Sequence, residues 1–229
     1  MPRKPRIFTS LFPYHVTARS NNKDWFYSPI ELVWSIMAKH LQTAQQDYQL
    51  RILNFVLMNN HFHMLAETPL SNLGDVMNYF MREVSREIGK KSGRINHVFG
   101  GRYHATVIRE PYYFAHAYKY VYRNPVRANL VKSVQLYPYS TLQNLWKAST
   151  YEIPTVFANH NLAHLIPKER ESLIKWLNQA LPKECDEILR KALKKSEFKL
   201  SSRRNDRKAV QILNRYQKEA GTSCSKAPK

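Results

Sequence analysis

Two strand-length runs of mostly apolar residues, Leu50 to Met58 and His61 to Thr68, are separated only by Asn59-Asn60. So short a connection turns the second run back antiparallel to the first, as a hairpin. Side chains alternate between faces along a strand. In the return strand this sends His61 and His63 to one face and Phe62 to the other, toward a core. Two neutral imidazoles at that spacing can hold a divalent metal ion.

The segments around the hairpin narrow the topology. Phe12 to Arg19 reads as a strand, closed by the polar turn Ser20 to Asp24. A helix comes next, with Ser28 as its N-cap and Pro29 in its first turn. Ile30, Val33, Trp34, Met37 and Leu41 share one face of it. After the hairpin a second helix places Leu73, Val76, Met77, Phe80, Val84 and Ile88 on one face. Arg82, Arg86, Lys90 and Lys91 occupy the rest of its surface. Ser92 to Arg102 is a glycine-containing loop, and His104 to Arg109 is a fourth strand. A third helix runs from about Pro111 to Arg123 and is expected to stop near Asn124, because proline disfavours helix at the residue before it.

The order β-α-β-β-α-β-α predicts a ferredoxin-like, split βαβ plan of the α+β class, an antiparallel sheet with its helices on one side. Beyond about residue 135 the character changes. Pro138, Pro154 and Pro167 punctuate a looser stretch before helical patterns resume. Leu173, Trp176, Leu177 and Ala180 form one face, and Ile188, Leu189, Ala192 and Leu193 another. The expected organisation is a domain over residues 1–146, a helical basic extension over 147–221 and a disordered tail over 222–229.

Charge bears on the partner. The 229 residues carry 36 Lys and Arg against 17 Asp and Glu, a formal net charge of +19. Residues 1–150 hold 19 basic and 8 acidic side chains, and residues 151–229 hold 17 and 9. Both parts are therefore basic, which favours a polyanion bound through its phosphates. For a metal ion in such a protein the natural substrate is a phosphodiester. No apolar stretch reaches the roughly 20 residues that span a bilayer, and Met1 to Arg6 does not lead into a signal-peptide core. No membrane partner and a cytoplasmic location are expected. Cys185 and Cys224 stand too far apart for a zinc knuckle or a redox motif.

The third helix carries the other candidate chemistry. Five tyrosines fall within Tyr112 to Tyr122. Tyr120 and Asn124, four residues apart, share a face with His116 a turn earlier, while Tyr118 and Tyr122 form a separate face. A phenol beside a carboxamide that can also reach a metal could attack a phosphorus centre once the phosphate is polarised. An aromatic packing helix fits the same pattern. A zinc hydrolase built on His61 and His63 would need a further Cys, His or Glu at zinc-like spacing, and none comes after them.

Several blocks together resemble one family. Tyr14-His15-Val16-Thr17-Ala18-Arg19, Met58-Asn59-Asn60-His61-Phe62-His63 and Gly101-Arg102-Tyr103-His104 are followed by Tyr120-Val121-Tyr122-Arg123-Asn124-Pro125-Val126-Arg127-Ala128-Asn129-Leu130-Val131 and Tyr137-Pro138-Tyr139-Ser140. They resemble, in order, the single-tyrosine HUH transposases of the insertion-sequence type, most closely the REP-associated tyrosine transposases. The likeness spans roughly residues 7–146.

The resemblance implies an HUH nuclease fold and a metal-dependent single-stranded DNA endonuclease and strand transferase acting at DNA hairpins. His61 and His63 would ligate Mg²⁺ or Mn²⁺, and Tyr120 would be the nucleophile that forms a 5′-phosphotyrosine. Asn124 stands where relatives often have a glutamine that completes the metal shell. Candidates for DNA contacts are Arg3, Lys4, Arg6, Arg19, Arg102 and Arg127, with the Arg82 and Arg86 helix face and the basic stretch Lys191 to Lys208. Arg127 could instead brace the loop after the helix. The resemblance implies DNA, single-stranded with a hairpin, as the partner in a prokaryotic cytoplasm, and leaves both monomer and homodimer open. A catalytically inactive DNA- or RNA-binding protein on the same fold is the competing reading.

Overall fold

The computed structural model describes residues 6–93, 95–146, 152–156 and 161–214. Four strands form one antiparallel sheet: β1 (Tyr14–Arg19), β2 (Arg51–Leu57), β3 (His61–Glu67) and β4 (His104–Val107), in the order β2-β3-β1-β4. Asn59-Asn60 closes the β2–β3 hairpin, where the amide of Met58 donates to the carbonyl of His61 at 2.7 Å. Helices α1 (Ile30–Tyr48) and α2 (Leu73–Ser92) connect and cover the strands. The α+β antiparallel plan is thus as expected. Pro29 itself occupies the cap of α1, and no side chain, Ser28 included, makes a capping hydrogen bond there.

The expectation of helices on one side holds for α1 and α2 only. Those two pack on the face that receives Val16, Phe62, Met64 and Ala66. Helix α3 (Pro111–Arg127) packs on the opposite face, against Leu53, Val56 and Leu65. The sheet's second face is itself apolar, so it must also be covered to leave water. A bulge in β2 serves this arrangement. Pairing with β3 shifts register between Ile52 and Asn54, so the consecutive residues Leu53 and Asn54 both face α3 while Ile52 and Phe55 face the first core. Asn54, fully buried, donates through Nδ2 to the Tyr118 carbonyl at 3.2 Å and so ties the sheet to α3.

Both sheet edges are shielded, which removes a template for unwanted pairing. Beside β2 the chain around Tyr139 adds a short pairing, with the Leu57 amide donating to the Tyr139 carbonyl at 3.0 Å. Beside β4 the amide of Val107 donates to Ser196 at 3.0 Å, and that of Phe198 to Val107 at 2.8 Å. The C-terminal part, with α4 (Arg170–Asn178) and α5 (Lys183–Ala192), shares the second core with α3. Arg123 donates to the carbonyls of Leu177 and Asn178 at 2.9 and 2.8 Å, placing a cation at the end of α4 where its dipole is negative. Residues 222–229, expected to be a tail, lie outside the described residues.

Helix α3 corrects a second expectation. It does not stop near Asn124 but runs through Pro125 to Arg127. Pro125 has no N–H for the Val121 carbonyl, and the Asn124 side chain supplies a substitute. Its Nδ2 donates to Val121 at 3.3 Å and to Tyr120 at 2.9 Å. Ala128 caps the helix, and Asn129 after it has a left-handed φ of 56°. Asn129 donates to Val126 at 3.1 Å and Leu130 to Pro125 at 3.0 Å, the paired closing bonds of a Schellman motif.

Unfolding experiments test both cores. Phe62, fully buried between Phe55, Phe80 and Phe99, should cost about 3–5 kcal/mol as Phe62→Ala in urea unfolding. His116, buried against the carbonyl of Leu213, is pushed down to about 4 by burial. Between about pH 6.5 and 4 the unfolded chain takes up a proton that the folded chain refuses, so stability falls as pH falls. This one group should remove about 2 kcal/mol between pH 7 and pH 5. Unfolding of His116→Gln at the two pH values should show that much less slope than the parent.

Candidate active site

Between α3, the sheet and α5 lies a cavity of about 520 Å³. Its wall includes His61, His63, Tyr120, Asn124, Arg19 and Arg127, candidates that lie far apart along the chain. Each arrives by simple geometry. Alternation along β3 puts His61 and His63 on the α3 face, and Arg19 stands opposite His61 in the register of β1. On α3, Tyr120, Asn124 and Arg127 are spaced by four and three residues and share one side. Continuation of the helix past Pro125 is what carries Arg127 to that side.

The aromatic rings nest closely. The His61 and His63 centroids are 4.9 Å apart, and that of Tyr120 is 5.7 Å from His63, edge to face. Tyr120 is only 8% exposed, and its exposed part faces this cavity. The guanidinium of Arg127 stands 4.8 Å from the centre of the Tyr120 ring and pairs with Asp186 of α5 at 3.3 Å. By contrast, Tyr118 and Tyr122 pack on each other, and Tyr122 bonds to Thr141 at 3.0 Å. The face assignment of the tyrosines therefore agrees with the structure. His116 departs from it, turned away to Leu213.

Burial sets the protonation of the histidines. It lowers His61 to about 4, aided by the nearby charge of Arg19. His63 is held well below the ordinary imidazole range, chiefly by burial and then by His15, His61, Arg127 and Arg19. Both rings are consequently neutral at pH 7, the form that ligates metals. Each also has its Nδ1 engaged, in His61 with Asn60 Oδ1 at 2.7 Å and in His63 with His15 Nε2 at 2.9 Å. That leaves both Nε2 atoms for a ligand. Among the described residues no three His, Cys, Asp or Glu side chains cluster for a metal. A site here would draw its remaining ligands from neutral oxygens, and Asn124, with Nδ2 spent on the helix, retains Oδ1. Two imidazole nitrogens and one neutral oxygen can hold Mn²⁺, and Mg²⁺ would need water and phosphate oxygens to complete its shell.

The other basic candidates divide between this cavity and a second. Arg6 and Arg102, with Arg82 of α2, line a cavity of about 800 Å³ beside the loop before β4. Arg6 lies 3.8 Å over the Tyr103 ring. Gly100 allows that loop to approach the end of β1, because a side chain there would meet the backbone of Ser20 and Asn21 at 3.2 Å. Arg3 and Lys4 lie outside the described residues. Sequence reasoning assigned no site role to His15, His104, Asp186 or Arg190. Only their placement at this cavity or against Arg127 singles them out.

Comparison with known proteins decides the family. The sequence model described as IS200-like transposase matches residues 9–124. The chain belongs to the IS200-like transposases. The matched stretch runs from before β1 to Asn124, so it takes in both β3 histidines and Tyr120. A solved structure described as a REP-associated tyrosine transposase bound to a REP hairpin shares the fold. It has a TM-score of 0.53 and 17% identity, covering 71% of this chain and 96% of that one. No curated protein matches the chain. In this transposase no helix among the described residues is long and apolar enough to cross a membrane.

The bond from Asn124 Nδ2 to the Val121 carbonyl can be tested by substitution. Asn124→Leu should lower stability by about 1–2 kcal/mol, since the Val121 carbonyl loses its substitute donor. Thermal unfolding measures that loss.

Proposed function

We propose that this transposase is a metal-dependent single-stranded DNA endonuclease and strand transferase that acts through a covalent phosphotyrosine at Tyr120. The carrying observation is the convergence of Tyr120, His61, His63 and Asn124 on one cavity. A divalent ion held by His61, His63 and Asn124 would polarise the scissile phosphate and stabilise charge developing on it.

The remaining chemistry belongs to the chain. Tyr120 loses its phenolic proton to solvent and attacks phosphorus in line. The new bond joins the Tyr120 oxygen to phosphorus, and the bond to the 3′-oxygen breaks. That oxygen leaves with a proton as a free 3′-OH, and the 5′-phosphate stays on the tyrosine. Attack by another 3′-OH reverses the exchange, restores the phenol and joins the strands, with no nucleotide cofactor needed. Packing fixes the nucleophile, because Arg127 covers one side of its ring and Asp186 holds Arg127. Arg19, Arg127, Arg190 and Lys194 make the cavity cationic, suiting a phosphodiester.

Substrate recognition would extend from there. The neighbour solved with a REP hairpin supports a DNA hairpin as part of the substrate, and the single-stranded target would lie beside it. Arg6, Arg82 and Arg102 around the second cavity would take backbone phosphates, with Arg3 and Lys4 adding contacts from the N-terminus. Residues 1–146 would supply the chemistry, and the basic extension one wall of the site.

A labelled hairpin oligonucleotide with a single-stranded flank tests the reading. Tyr120→Phe should abolish the covalent protein–DNA adduct, while Tyr118→Phe and Tyr122→Phe should retain it. His61→Ala should slow cleavage by about 10²–10³-fold, the scale of one lost transition-state contact. Chelation should stop cleavage and leave hairpin binding intact. Binding without any adduct, at saturating Mg²⁺ or Mn²⁺, would instead establish the inactive DNA- or RNA-binding protein.

A further inference from the structure

Strand β1 places a third histidine against the β3 pair. Thr17 stands opposite His63 and His15 opposite Leu65, so His15 and His63 are diagonal neighbours across β1 and β3. Side chains so related lie within reach of each other. The two rings stack with centroids 5.1 Å apart at 20°, and His15 Nε2 is 2.9 Å from His63 Nδ1. His15 is 2% exposed, and its Nδ1 has no hydrogen-bond partner among the described residues. A leucine or phenylalanine would fill this space without bringing in an unpartnered ring nitrogen of its own. Packing therefore does not account for an imidazole here, and its contact with His63 does.

We propose that His15 is a positioning residue for the metal site, its Nε2 accepting the Nδ1–H of His63. The inference rests on the metal reading above. An imidazole coordinates through a nitrogen that bears no proton, and the hydrogen bond at its other nitrogen decides which one that is. With His15 as acceptor, the His63 proton is kept on Nδ1 and the lone pair of Nε2 stays bare. Were the bond reversed, the His63 proton would sit on Nε2 and block coordination there. His61 has the same arrangement, with Asn60 Oδ1 as acceptor at 2.7 Å. Each β3 histidine thus has its own acceptor, one from the hairpin turn and one from the neighbouring strand. His15 carries its own proton on Nδ1, the atom without a partner, and this makes the site dependent on β1.

Two measurements test this without relying on activity. Long-range ¹H–¹⁵N spectra of the metal-free protein, labelled in its imidazoles, should show His63 protonated on Nδ1 and bare on Nε2. A His63 proton on Nε2, in protein that binds Mn²⁺, overturns the proposal. Mn²⁺ titration by electron paramagnetic resonance gives the second measure. His15→Phe keeps a buried ring but no acceptor, and should bind about 10–100-fold more weakly. His15→Gln, whose Oε1 can accept the same proton, should recover most of that loss. Wild-type affinity in His15→Phe also overturns the proposal. Should His15→Phe fail to fold by circular dichroism, the spectra of the parent protein decide alone. A parent protein that binds no Mn²⁺ or Mg²⁺ overturns the metal reading itself, a separate outcome.

Discussion

The pleat of β3 sends Phe62, Met64 and Ala66 into one core and His61, His63 and Leu65 toward the other face. Most of the remaining architecture depends on that division. Phe62 anchors the strand in an aromatic cluster beneath α1 and α2, so the imidazoles opposite it rest on a rigid support. The second face, with Leu53, Val56 and Leu65, is too apolar to be left in water. Helix α3 covers it, and covering it brings Tyr120 to the histidines. The juxtaposition of Tyr120 with the histidines is in this sense a by-product of burying a sheet on both sides.

The polar groups at this interface come at a cost that packing alone would not incur. His15 and His63 are neutral and buried, and Asn54, Asn124, Lys119 and Arg123 are buried as well. Most of them hold α3 in register. Asn54 bonds its backbone from the sheet, and Arg123 bonds the end of α4. Lys119 lies 4.9 Å from the centre of the Trp176 ring, and burial lowers it to about 8. Directional contacts of this kind fix rotation and translation of a helix, which apolar packing leaves looser. Holding one side of α3 toward the cavity needs that precision.

The C-terminal extension is part of the same solution. It shares the second core with α3, shields the free edge of β4 and supplies Arg190, Leu193 and Lys194 to the cavity. The family match ends at Asn124, yet Asp186, far beyond it, holds the arginine that covers Tyr120. The basic character of residues 151–229 thus reaches the site directly.

Local order was the legible part of the sequence. The Asn59-Asn60 turn, the alternation through His61-Phe62-His63 and the separate faces of Tyr120 and Tyr118 arise from the two-residue period of strands and the roughly 3.6-residue period of helices. These hold wherever the chain is placed. What periodicity does not contain is a compensating contact. Pro125 marked the end of a helix until Asn124 supplied the missing donor, and the uninterrupted helix then carried Arg127 to Tyr120. Nor does it say which side of a sheet a helix will cover, because that depends on the apolar area of both faces together. The sequence by itself determined the elements, their order and the candidate residues for the chemistry. Only the tertiary structure decided that α3 crosses the second face, that α5 closes the cavity and that His15 meets His63. Those are contacts between residues distant along the chain, 48 positions apart in the case of the two histidines, and no local rule of the backbone specifies them.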